Sequence, residues 1–162
     1  MPIKTADLCD QYGERLQIAA LGLLDFGGRS DFAGEIVTVK LFEDNSLVQE
    51  LLETKGEDRV LVVDGGGSMR CALLGDRLAT LAMENGWSGL VINGCVRDVA
   101  QIGALALGIR ALGSHPQKSR KQGTGERNIP VSFAQVTFSP GAYLYADRDG
   151  IVVASERLTT TR

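Results

Sequence analysis

The chain has 162 residues, 44% of them hydrophobic and 23% charged, with a formal net charge of -3, so residues 1–162 read as one soluble domain able to bury its own core. The acidic balance excludes the clustered positive excess of a nucleic-acid-binding surface, and no stretch approaches the ~20 apolar residues of a membrane span. Lys4, Asp7 and Asp10 interrupt any apolar leader, and Cys9, Cys71 and Cys95 lack CxxC spacing, which reads as free thiols in a reducing cytoplasm.

Taken in order, Thr5 is expected to N-cap a short helix with Asp7 in its first turn. A glycine joint follows at Phe26-Gly27-Gly28. Residues 35–41 alternate, with Val37, Val39 and Leu41 on one face and Thr38 and Lys40 on the other, the pattern of a half-buried strand. Asp44-Asn45-Ser46 then opens a helix carrying Leu47, Val48, Leu51 and Leu52, and Gly56 is expected to stop it. Residues 61–63 have no polar residue among them and predict a strand buried on both faces. A helix with Leu78, Leu81 and Ala82 inward follows, ended by Asn85-Gly86. Residues 88–94 predict a second buried strand. Asp98 is placed to N-cap a helix reaching about Ala106, with Val99, Ile102 and Leu105 inward. Residues 109–112 predict a strand, and residues 115–130, with four basic residues and two glycines, predict a mobile surface loop. The remainder reads as strands at 131–137, 143–146 and 150–154, and the tail from Thr159 as frayed. Parallel pairing is implied in the middle and antiparallel pairing at the ends, which a plain doubly wound fold does not explain.

Several motifs carry chemistry. Asp64-Gly65-Gly66-Gly67-Ser68 follows a buried strand, but a dinucleotide fingerprint needs glycine where Arg70 stands, and no GxxxxGK[ST] occurs. The turn therefore reads as a tight strand exit or a close backbone approach. Gly75, Asp76, Arg77 and Leu78 enter a helix whose first N–H groups lack internal partners, a place for a carboxylate or phosphate. The competing reading makes Asp76 an N-cap with Gly75 as its hinge. Arg97 offers a planar fork for an oxyanion, and Asp98 is a hard oxygen ligand for Mg²⁺ or Mn²⁺. Alternatively they form a surface ion pair and an N-cap. His115 is the only histidine and has no GxSxG or HExxH beside it, so neither a triad nor a zinc site is implied. Lys118, Arg120 and Lys121 read as solvated loop cations.

Together, Val62-Val-Asp-Gly-Gly-Gly-Ser, Leu74-Gly-Asp-Arg-Leu, Gly89-Leu-Val-Ile-Asn-Gly-Cys-Val-Arg-Asp and Asp147-Arg-Asp-Gly-Ile-Val-Val resemble the RraA family. That family includes regulators of ribonuclease E and class II 4-hydroxy-4-methyl-2-oxoglutarate aldolases. Phe26-Gly-Gly-Arg and Thr38-Val-Lys-Leu-Phe-Glu-Asp-Asn are similar to the regulator branch. The resemblance implies an α/β chain with a three-layer β/β/α swivelling-domain fold and mixed sheets. It also implies a homotrimer with clefts between subunits.

The resemblance further implies that backbone at Gly75, Asp76, Arg77 and Leu78 holds a substrate carboxylate. Arg97 would contact a small 2-oxo acid, and Asp98 would bind a divalent metal cation, Mg²⁺ or Mn²⁺. The expected reactions are cleavage of 4-hydroxy-4-methyl-2-oxoglutarate to two pyruvates and decarboxylation of oxaloacetate, both through a pyruvate enolate that metal and guanidinium stabilise. The five lysines, at 4, 40, 55, 118 and 121, occupy no obviously buried position for a Schiff base. Some regulators lack the metal-ligand Asp, which is present here as Asp98. Larger aldolases carry a longer carboxy-terminal extension that gives an acidic residue to a neighbour's site, whereas this sequence ends soon after Glu156. The alternative expectation is a regulator that binds ribonuclease E without relevant catalysis.

Overall fold

Uninterrupted apolar runs belong where both faces of a sheet are covered, and those at 60–63 and 90–92 occupy its centre. The computed structural model describes residues 3–159. Its first part holds α1 (Thr5–Tyr12), a 3-10 turn (Gly13–Arg15), β1 (Gln17–Ile18), β2 (Leu24–Asp25), β3 (Phe32–Lys40), α2 (Ser46–Leu52) and β4 (Val60–Asp64). The middle holds β5 (Ala72–Leu74), α3 (Asp76–Glu84), β6 (Gly89–Val96), α4 (Val99–Ile102) and β7 (Gly108–Ser114). The last part is all strand: β8 (Glu126–Arg127), β9 (Val131–Phe133), β10 (Val136–Phe138), β11 (Tyr143–Asp147) and β12 (Gly150–Ala154).

The main sheet runs β1-β12-β11-β3-β4-β6-β7-β2, with β5 added to β6 and β8 to β3. Strand β3 belongs to both halves. Its first residues pair antiparallel with β11 (Glu35 opposite Tyr143), and its last pair parallel with β4 (Val39 opposite Val63). Parallel pairs β4–β6 and β6–β7 complete the centre.

Two cores lie on opposite faces of that centre. On one face Val39, Leu61, Val63, Leu90, Ile92 and Ile109 pack against Val48 and Leu52 of α2, Ala79 and Ala82 of α3, and Ile102 of α4. On the other, Ile36, Val60, Val62 and Val91 meet Val131, Val136, Phe138, Leu144, Ile151 and Val153. Helix, sheet and second β layer make the three-layer β/β/α arrangement with mixed sheets that the resemblance implied. Each fully buried aliphatic side chain contributes about 1.5–3 kcal/mol.

Several local expectations need correction. Lys4, not Thr5, is the N-cap of α1, because Thr5 donates its hydroxyl to Asp147 Oδ1 at 2.7 Å and its N–H to Oδ2 at 2.8 Å. β3 is buried on both faces, since the β9–β10 hairpin covers Ile36 and Thr38. Thr38 is tolerated there because its hydroxyl donates to Ile129 O at 2.5 Å. α2 ends at Leu52, before Gly56, whose added Cβ would stand 2.4 Å from Trp87 N. Ala79 and Ala82 form the buried stripe of α3, with Leu78 and Leu81 at its margins. α4 stops at Ile102, and Val99 is 44% exposed rather than inward. Residues 131–137 are not one strand: Ala134 and Gln135, at φ 52 and 63, turn β9 back onto β10. Of the tail expected to fray, residues 160–162 lie outside the described residues.

Candidate active site

The site begins where β5 hands over to α3. Gly75 is the N-cap and offers no side-chain cap, so the N–H groups of Arg77 and Leu78 are left without intrahelical acceptors. β6 ends beside this turn, and Arg97 N–H donates to Leu74 O at 2.9 Å. Asp98 follows in the left-handed region, at φ 57 and ψ 45, a conformation that costs a non-glycine residue energy and clusters at functional sites. Its Oδ2 accepts the N–H of Asp76 at 2.9 Å. A Cβ on Gly75 would stand 2.7 Å from Asp98 Oδ2 and 3.3 Å from Arg97 Nε. Glycine is thus required for the guanidinium and carboxylate to lie against the helix entry.

Gly75, Asp76, Arg77, Leu78, Arg97 and Asp98 all line one cavity of about 260 Å³. Asp76 is the first residue of α3 rather than its N-cap, and Asp98 precedes α4 without capping it through its side chain. Arg97 and Asp98 are half-buried, and Arg97 Nη1 lies 3.4 Å from Pro116 O.

The opposing lining comes from elements that the sequence reading kept apart from the site: Asn45 and Gln49 of the α2 region, and Lys118, Ser119 and Lys121 of the 115–130 segment. That segment is tied down rather than mobile. Gln117 O accepts Ala72 N–H at 2.8 Å, Arg120 N–H donates to Glu43 O at 2.9 Å, and Glu126–Arg127 pairs with β3. Burial alone would oppose ionisation of Asp44. Hydrogen bonds from Ser46, the Gln122 N–H and Thr124 outweigh it and hold the carboxyl well below its ordinary range. Lys121 Nζ donates to Asn45 Oδ1 at 3.0 Å and Gln49 Oε1 at 2.9 Å. Lys121 is therefore not merely a solvated loop cation, and Lys118, though exposed, lines the same cavity. Their spacing carried no periodic signal, and the reach of the α2 region to position 121 is what identifies Lys121.

Four cations (Arg77, Arg97, Lys118, Lys121) and two carboxylates (Asp76, Asp98) line the cavity, an excess of two positive charges suited to an anion. Among the described residues no three His, Cys, Asp or Glu side chains group as a metal cage. The donor set fits instead a cation that keeps several waters and takes one or two carboxylates, as Mg²⁺ and Mn²⁺ do. Asp98 would hold it, with the Asp76 carboxylate lining the same cavity. All five lysines are exposed, unlike the desolvated lysine of a Schiff-base site.

The other motifs are structural. An added Cβ on Gly65 would meet Asn93 O at 2.7 Å, and one on Gly66 would meet the Phe42 ring at 2.8 Å, so the triple-glycine turn is a close approach of backbone. His115 Nδ1 accepts the Gln117 N–H at 3.1 Å and stays outside the cavity lining. Cys9, Cys71 and Cys95 are free thiols. Among the described residues no helix is long and apolar enough to cross a membrane.

Fold and cavity define the class, and comparison with known proteins agrees. Residues 5–153 match the family described as RraA-like: Aldolase/RraA, and the chain belongs to that family. It is 56% identical over 158 residues to a protein of Laribacter hongkongensis named "Putative 4-hydroxy-4-methyl-2-oxoglutarate aldolase", covering 98% of this chain and 99% of that one. A Dechloromonas aromatica protein of the same name is 51% identical over 163 residues, covering 98% and 100%. Among solved structures, the RNA-processing inhibitor RraA of Thermus thermophilis superposes with TM-score 0.95 at 43% identity, covering 100% of this chain and 98% of that one. A Geobacillus kaustophilus protein described as an S-adenosylmethionine:2-dimethylmenaquinone methyltransferase gives TM-score 0.95 at 52% identity, covering 99% of each.

Proposed function

We propose that this protein is a divalent-metal-dependent lyase that cleaves 4-hydroxy-4-methyl-2-oxoglutarate to two pyruvates and decarboxylates oxaloacetate. The observation that carries the reading is the Arg97–Asp98 pair packed against a helix entry with no side-chain cap, in one cationic cavity. The names of the 56% and 51% identical relatives support it.

In the proposed cleavage the C3–C4 bond of the substrate breaks. Its electron pair becomes the enolate of one pyruvate, and protonation at C3 completes that product. The C4 hydroxyl gives up its proton and becomes the keto group of the second pyruvate. With oxaloacetate the same enolate forms as the distal carboxylate leaves as CO₂. The Arg97 guanidinium donates to the keto oxygen and takes up the charge that grows there, an interaction stronger in the transition state than in the ground state. The Arg77 and Leu78 N–H groups orient the carboxylate next to the keto group. Asp98 would hold Mg²⁺ or Mn²⁺, which when bound supplies Lewis-acid charge at the keto oxygen. A homotrimer belongs to this reading. Val99, which adjoins Asp98, is 44% exposed, so apolar surface lies beside the site.

Pyruvate release from oxaloacetate, followed with Mg²⁺ and with EDTA, tests the proposal. The expected result is a rate abolished by EDTA, restored by metal, and lost in Asp98→Ala. A rate no higher than the metal-only background, or one unchanged in Asp98→Ala, rejects it.

The likeness to the Thermus RNA-processing inhibitor over the full length of this chain favours a second reading, a regulator that binds ribonuclease E. A pull-down with ribonuclease E at micromolar concentration tests it, and absence of binding rejects it. The two readings are compatible, since an outer surface can bind a partner while a cleft does chemistry.

A further inference from the structure

The cavity has two walls of different origin. The α3 entry and the β6–α4 turn supply Arg77, Leu78, Arg97 and Asp98, enough to hold a keto group and its adjoining carboxylate. The other wall brings two more cations, Lys118 and Lys121, from a segment that the proposed chemistry does not use. A solvated surface lysine would be mobile, but Lys121 is held. Two of its three N–H donors are committed to Asn45 Oδ1 and Gln49 Oε1. Asn45 is itself 9% exposed and fixed, its Nδ2 donating to Leu73 O at 3.2 Å and its N–H to Arg120 O at 3.2 Å. The ammonium therefore has one donor left, on a side chain lining the cavity, and acceptors that add no negative charge.

We propose that Lys121 is the specificity-determining residue that selects a second carboxylate, the one remote from the keto group, so that the cavity prefers dicarboxylic 2-oxo acids to monocarboxylic ones. This deepens the proposed lyase reading and rests on it for the placement of the keto end. The lining side chains carry an excess of two positive charges, and a divalent cation on Asp98 would add two more, so the field of the cavity favours a second carboxylate over a methyl group. A fixed ammonium facing a methyl group instead of a carboxylate is left without its charge-assisted hydrogen bond, which is how a polar site rejects an analogue lacking the polar group. Lys118 lines the same wall and adds charge without a comparable anchor.

The role differs between the two reactions. In 4-hydroxy-4-methyl-2-oxoglutarate the remote carboxylate is a spectator, so holding it orients the bond to be broken. In oxaloacetate the remote carboxylate is the leaving group and must lose its charge, so holding it stabilises the ground state as well.

Calorimetric titration tests the assignment without requiring turnover. The ligands are 2-oxoglutarate and 2-oxopentanoate, in which methyl replaces the distal carboxylate, titrated into the Mg²⁺-loaded wild type, Lys121→Met and Lys121→Arg. The wild type is expected to bind 2-oxoglutarate about tenfold or more tightly than 2-oxopentanoate, as one charge-assisted hydrogen bond allows. Lys121→Met should bring the ratio close to one, mainly by weakening 2-oxoglutarate, and Lys121→Arg should retain most of the preference. A wild type that does not discriminate, or fails to bind 2-oxoglutarate, overturns the proposal. So does a ratio unchanged in Lys121→Met, as when Lys121 only pins the loop and its loss weakens both ligands alike. Pyruvate release in the same preparations separates the two claims: discrimination without turnover upholds the Lys121 assignment and rejects the lyase.

Discussion

Asp44 accepts hydrogen bonds from Ser46 N and Oγ, Gln122 N, and Thr124 N and Oγ1, and it is 1% exposed. Asp98, beside another helix, is half-buried and accepts one bond, from Asp76 N–H, through Oδ2. Among the described residues its Oδ1 has no protein donor. The two side chains are chemically identical, and their surroundings divide the labour. Asp44 spends both oxygens joining α2 to the segment that carries Lys121. Asp98 is held by one oxygen and lines the cavity. An ionised carboxylate becomes a candidate ligand only where the protein leaves its donors incomplete.

The sharpest way to break the comparison is Asp98→Asn. The amide oxygen still accepts from Asp76 N–H, and Asn tolerates the left-handed backbone, so only the charge is removed. Pyruvate release should fall on the order of 100-fold or more, while Tm moves little. If activity survives, the contrast between the two aspartates has no functional content.

Gly75→Ala ranks next. Its φ of -129 is open to any residue, but the new Cβ would press on Asp98 Oδ2 and Arg97 Nε. Activity should fall roughly 10- to 100-fold, as displacements of about 1 Å do, with thermal stability nearly retained.

Asp44→Asn should give the smaller and opposite signature. Losing charge-assisted bonds costs on the order of 2–3 kcal/mol, seen as Tm lower by roughly 4–12 °C. The pH dependence sharpens this. Asp44 and Asp147 both have carboxyls below their ordinary value of 3.8. For each, burial opposes ionisation and hydrogen bonds outweigh it: Ser46, Gln122 and Thr124 for Asp44, and Thr5, Asp149 and Gly150 for Asp147. Glu43 is lowered to about 2, first by its hydrogen bond from Arg70. A carboxylate depressed in the folded state contributes its full stability above the unfolded value and loses it as pH falls through the folded one. Wild-type Tm should therefore be level above about pH 5 and fall below pH 4. The Asp44→Asn protein should start lower and fall less steeply.

Much of the frame was legible because it is local. The runs at 60–63 and 90–92 have no polar interruption, and they became central strands. Arg97 and Asp98 adjoin each other after a strand, so their common turn could be read directly. The errors arise where distant residues decide. Whether Ile36 and Thr38 are covered depends on a hairpin about a hundred residues later. Lys121 meets Asn45 across 76 positions, and sequence spacing holds no trace of that contact. β5 has three residues, too few for alternation to register. The helix expected after Asp98 was cut to one turn because Gly27 and Gly28 bring their backbone against 103–109, where a Cβ on Gly28 would stand 2.1 Å from Leu105 O.

Strand β3 is shared by the two halves of the sheet, and this has a consequence for biosynthesis. Every residue lining the cavity falls between positions 45 and 121, and the second β layer, from 131 to 154, contributes none. A ribosome thus finishes every residue lining this cavity before it makes β11, which must reach back to pair with Phe32, Ala33, Gly34 and Glu35. Until residues 131–154 follow, the face bearing Ile36, Val60, Val62 and Val91 lacks its cover, which β9–β10 begins and β11 and β12 complete. Such non-local pairing is slow and leaves apolar surface open to aggregation. The nascent chain is at its most vulnerable when its cavity lining is already fully made.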